Sequence, residues 1–146
     1  SSPEGYIWVS AARKKDIAWD AMRECAEQKA RTLFKEFEKA FEEGKLPEGY
    51  FGQIKEDGIS GWGGMNYIKG ECVEEYLKRR HPEIFEKYCI HPYGFLDKDG
   101  WNTHESFVYD GANSRIEQKN DWRDQLNAFI ETADDDAVFV IVDNHS

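Results

Sequence analysis

The chain has 146 residues, 40% hydrophobic and 14% aromatic, with 19 Lys+Arg against 29 Asp+Glu for a net charge of −10. That length suits one domain over residues 1–146, and the apolar content excludes a wholly disordered chain. Residues 1–70 hold 11 basic and 12 acidic side chains, net −1, whereas 71–146 hold 8 and 17, net −9. Such a field repels phosphate, so no direct nucleic-acid binding is expected; it favours a basic protein surface instead.

No stretch approaches the ~18–20 apolar residues that span a bilayer, so no membrane partner is expected. Ser1-Ser2-Pro3-Glu4-Gly5 has neither the basic nor the apolar region of a signal peptide. Cys25, Cys72 and Cys89 are odd in number and form no CxxC. A disulfide framework is therefore not expected, and a reducing cytoplasm is the simplest location.

Along the chain, Tyr6-Ile7-Trp8-Val9 is β-prone. A long helix follows over 16–43 and ends at Gly44, with Met22, Ala26, Ala30, Leu33, Phe37 and Phe41 recurring every three or four residues. At ~1.5 Å per residue it is about 40 Å long. Its apolar face must cross most of the domain or pair with another copy, in which case it is a homo-oligomer interface. Residues 50–70 are rich in Gly around Ile59-Ser60-Gly61-Trp62-Gly63-Gly64-Met65. They read as an ordered irregular loop held down by Tyr50, Phe51 and Trp62.

A second helix is predicted over 71–80 with Val73, Tyr76 and Leu77 inward, broken near His81 by Pro82. Pro82 then opens a short helix. Residues 95–101 read as a hairpin about an Asp-Gly turn, 106–109 as a strand, and 121–132 as a helix capped by Asn120. Ala137-Val138-Phe139-Val140-Ile141-Val142 is apolar at every position, which predicts a central strand covered on both faces. The class is α+β: a mainly antiparallel sheet of three to four strands, backed by a long N-terminal helix and two to three shorter helices.

Few motifs carry chemistry. Asp97-Lys98-Asp99-Gly100 resembles the middle of a calcium loop, but the first ligand position falls on Phe95 and the last on Ser106. A tight turn is the better reading. His104, Asp143 and His145 flank predicted strands and form a candidate divalent-metal set for a small hydrolase. Ser60 lies outside a G-x-S-x-G elbow, and Cys89 near His91 is a loose nucleophile pair. The glycine-rich run lacks both phosphate-binding patterns, and no cofactor is expected. Asp134, Asp135 and Asp136, with Asp97 and Asp99, supply acids; Trp62, Trp101 and Phe51 supply aromatic anchors. Aromatic anchors beside a charged rim make a protein interface.

The acidic turn, apolar strand and Val142-Asp143-Asn144-His145-Ser146 ending, with Asp121-Trp122 before them and Phe95-Leu96-Asp97-Lys98-Asp99-Gly100-Trp101 further upstream, resemble small phage and gut-bacterial proteins that end in a V-D-C-H-I type strand. The resemblance covers residues 93–146. Asn144 stands where that pattern has Cys, and Ser146 where it has Ile. The family brings no established activity; it implies a phage or mobile-element setting. The leading expectation is a non-enzymatic acidic interaction module, in its strong form an inhibitor or DNA mimic that engages a basic host protein. The alternatives are the metal-dependent hydrolase and a structural or oligomeric component.

Overall fold

The computed structural model describes residues 4–142, the side chain of Phe107 aside. The class is α+β. Its elements are β1 (Ala11–Arg13), α1 (Trp19–Glu43), β2 (Gln53–Lys55), β3 (Gly58–Gly61), β4 (Gly64–Ile68), α2 (Val73–Arg80), β5 (Gly94–Asp97), β6 (Gly100–Thr103), β7 (Glu105–Asp110), β8 (Asn113–Gln118), α3 (Trp122–Thr132) and β9 (Val138–Val140). Short 3-10 turns cover Lys14–Asp16 and Pro82–Phe85. Among the described residues the strands are all antiparallel and fall into four small sheets, β1-β9, β2-β3-β4, β5-β6 and β7-β8. No helix among the described residues is long and apolar enough to cross a membrane.

The chain divides into two compact units, Ser1–Ile7 with Ala18–Cys89, and Trp8–Ile17 with Ile90–Ser146. In the first, α1 runs 25 residues, about 38 Å. It stops where Gly44 takes a left-handed φ of 69° and the Lys45 amide donates to the Ala40 carbonyl. Ala30, Phe34, Phe37 and Ala40 are its buried residues, and they pack with Ile59, Tyr67, Tyr76 and Leu77 of the sheet and α2. The apolar stripe of α1 is thus covered within its own unit. Near its start, the Arg23 guanidinium donates to the carbonyls of Glu86 and Lys87 at 2.8 and 2.7 Å, and Trp19 meets Tyr88 edge-on.

The glycine-rich segment is not an irregular loop but the meander β2-β3-β4. Its glycines permit close strand approach: a Cβ on Gly52 would lie 2.1 Å from the Ser60 carbonyl oxygen, and one on Gly58 2.0 Å from that of Tyr67. The composition that argues against a strand by propensity is here what lets the strands pack.

In the second unit, α3 buries Trp122, Leu126 and Ile130, and Phe95 of β5 stacks between Trp122 and Phe129 at 5.4 and 4.3 Å. β9 is not a central strand. Among the described residues it pairs with β1 alone, and Phe139 is the strand residue that turns inward, stacking on Phe129 at 6.0 Å. Burying Phe139 fixes the register Ala12↔Phe139, so pairing involves Ala11–Arg13 rather than the β-prone residues 6–9. β8, for which the sequence carries no clear strand signal, completes a hairpin with β7 through the turn at Gly111.

Folding also redistributes charge. The first unit holds 12 Lys+Arg and 16 Asp+Glu, net −4; the second holds 7 and 13, net −6. The steep contrast between sequence halves fades because Arg13, Lys14 and Lys15 join the acidic unit, while acids 71–86 belong to the other.

Candidate functional site: an aromatic cleft

Trp62 sits in the two-residue link of the β3–β4 hairpin, between the paired residues Gly61 and Gly64. Gly63 follows it at φ 77°, a turn conformation that leaves the indole projecting from the tip. Trp62 is 88% exposed and Phe51 80%. Together they line a cleft of about 400 Å³. Leu33 and Phe37 of α1 contribute to one wall, and Tyr50 lies edge-on to Phe37 at 5.2 Å. Tyr76, Arg80 and His81 line it from α2 and its end. A shallower depression of about 300 Å³ also has Phe51 and Trp62 on its border, so the two rings border both hollows.

The second helix anchors the hairpin. Arg79 pairs with Glu71 through two nitrogens, at 2.7 and 2.9 Å, and donates to the Met65 carbonyl. The Glu71 side chain is only 6% exposed, so this pair holds a nearly buried carboxylate. Arg80 donates to Asn66 Oδ1 at 3.1 Å and reaches the Gly63 carbonyl at 3.5 Å, beside the indole. Burial lowers the His81 pKa from its ordinary value, with Glu83 opposing and Arg80 adding to the shift. Near pH 7 His81 is therefore neutral, its Nε2 3.3 Å from the Tyr76 hydroxyl. Burial likewise raises the Tyr76 pKa, so that hydroxyl keeps its proton. Arg80 is then the charged side chain of an otherwise neutral, aromatic cleft.

The other residues singled out from sequence lie elsewhere. Trp101 pairs across the β5–β6 hairpin with Leu96, and both are exposed. Asp97 and Asp99 close that hairpin, the Asp97 carboxylate accepting the Asp99 amide at 2.8 Å. This is the tight turn expected from the spacing. Asp136 is held by Lys15 at 2.7 Å and Arg13 at 3.9 Å, so the acidic triplet is partly neutralised by the chain's own cations. His104 lies 3.1 Å from the Tyr93 carbonyl through Nδ1 and 3.7 Å from Glu105 through Nε2. Asp143 and His145 fall outside the described residues, and among those described no group of three His, Cys, Asp or Glu is placed to hold a metal. Burial pushes the Cys89 thiol pKa up, and its Sγ lies 3.5 Å from the Trp19 carbonyl, which keeps it a poor nucleophile.

Sequence reasoning named Phe51 and Trp62 but missed Arg80 and His81 as members of the same cleft. The only signal was the basic run Lys78-Arg79-Arg80 in the last turn of α2, which reads equally as complement to the helix dipole. No family model matches the chain, and neither a curated protein nor a solved structure was found similar to it.

Proposed function

We propose that the protein is a non-enzymatic interaction module that docks a partner protein on the aromatic cleft, with Trp62 and Phe51 as the anchors. The observation that carries this reading is the pair of large rings, 88% and 80% exposed, on the wall of one cleft. Solvent-facing tryptophan at a hairpin tip buries nothing for the fold, whereas aromatic anchors in a concave site dominate binding energy. The Arg79 and Arg80 contacts hold the tip in place before a partner arrives, which lowers the ordering cost of association. The partner presents an apolar or aromatic side chain to the slot and a carbonyl or carboxylate oxygen to Arg80. Its surrounding surface is basic, because the net charge of −10 steers such a surface inward. A phage-type inhibitor that occupies a basic host protein is one setting that fits these requirements, and the cytoplasm is the proposed location.

Selection of a displayed random-peptide library on the purified protein tests the reading. Enriched peptides are expected to share an apolar anchor flanked by Lys or Arg. Trp62→Ala should weaken them by about 2 kcal/mol, roughly thirtyfold. Enrichment of peptides that bind Trp62→Ala and Phe51→Ala as tightly as wild type would remove the cleft from the account.

A further inference from the structure

β9 has a second surface to offer. The Lys14 amide donates to the Ala137 carbonyl and the Ile141 amide to the Ser10 carbonyl, each at 2.8 Å, and Ala12 faces Phe139 between them. In an antiparallel ladder, alternate residues direct both backbone groups to the same neighbour. Residues 137, 139 and 141 therefore face β1, and Val138 and Val140 direct their N–H and C=O groups to the opposite edge. Among the described residues no other strand pairs there.

The edge is short, since β9 spans three residues, but it lacks the charge, proline and bulge that otherwise protect an edge from pairing. Residues 137–142 contain no charge and no Pro, and the β1–β9 ladder carries no bulge. Val138 and Val140 are 58% and 61% exposed, and Ile141 and Val142 more so. At the start of the strand, Asp134 and Asp135 form no ion pair among the described residues, in contrast to Asp136. An added antiparallel strand would bring its C-terminal end beside these two carboxylates.

We propose that the open edge of β9 accepts an extended strand from a basic partner protein, aliphatic on alternate residues and carrying Lys or Arg at its C-terminal end. Backbone hydrogen bonds supply the affinity in this mode, and side chains the selectivity. The acid pair selects the orientation and sign of the incoming strand. A second copy of the chain is the poorer occupant, since each copy carries −10 and would place acid near acid. This surface belongs to a different unit from the aromatic cleft and rests on separate observations, so either can fail alone.

The probe is a blocked, fluorescently labelled eight-residue peptide that alternates Thr and Val and ends in two Lys, titrated by anisotropy. Saturable binding is expected. Methylating alternate amides of the peptide should weaken it about tenfold or more on one alternation and little on the other, because only one set of amides faces the protein. Moving the two Lys to the N-terminal end, or changing Asp134 and Asp135 to Asn, should weaken it several-fold at low salt. Val140→Pro removes an edge-facing N–H without touching the bonds to β1 and should abolish binding; the methylated peptides ask the same question of the wild-type protein. No binding at about 1 mM peptide, equal binding by both methylated forms, or dimerisation of the protein lost in Val140→Pro would each overturn the proposal.

Discussion

Lys14 offers a sharp test of how the second unit is held together. Its ammonium donates to the carbonyls of Glu131 and Ala133, at 3.0 and 2.9 Å, at the C-terminal end of α3. That helix has no basic residue in its own last turn. Its unsatisfied carbonyls and the negative end of its dipole are therefore served by a side chain 117 positions away from Glu131. A cation at a partly buried helix end contributes between ~0.3 and ~2 kcal/mol. Two good bonds on a half-buried side chain place Lys14 in the upper part of that range, about 1–1.5 kcal/mol. Lys14→Met preserves the aliphatic stem and removes the charge and donors. In urea titrations it should lower unfolding free energy by that amount, with an unchanged slope. Lys15→Met removes an exposed partner of Asp136 and should cost about 0.5 kcal/mol or less. If Lys14→Met were no more costly than Lys15→Met, the capping role would be refuted.

Arg79→Met leaves the nearly buried Glu71 carboxylate without its guanidinium and frees the Met65 carbonyl; a loss of about 2–3 kcal/mol is expected by denaturant titration. Gly58→Ala places a Cβ against the Tyr67 carbonyl at a φ of 149° and should cost about 2 kcal/mol or more, measured the same way. His81 has a folded pKa below its ordinary 6.5, so the unfolded chain takes up the proton first. Its contribution to stability is present above pH 6.5 and declines as pH falls from there through the folded value. His81→Gln should flatten that part of the pH–stability curve relative to wild type.

Much of the helical framework was legible because its signals are local. Gly44 ends α1, Pro82 breaks the chain after His81, and Trp122, Leu126 and Ile130 mark one face of α3. The sheets were less legible, since strand pairing depends on partners far along the chain. Glycines 52 and 58 read as loop residues until Ser60 and Tyr67 are seen lying against them. The valines at 138 and 140 read as buried until β9 is found with one neighbour among the described residues. Charge misled in a similar way: Arg13 and Lys15 sit in the neutral half of the sequence but fold onto Asp136. At the cleft, Phe51 and Trp62 stood out as large rings in a glycine-rich segment. Arg80 did not, because a basic residue at a helix end already has a sufficient local explanation.

The central claim is that Trp62 anchors a partner on the cleft. Calorimetric titration of the tightest selected peptide into wild type and Trp62→Ala, at the same salt concentration, tests it most directly. A dissociation constant raised roughly thirtyfold by the substitution, with the fold unchanged by circular dichroism, is the predicted result. Equal constants for the two proteins would contradict it.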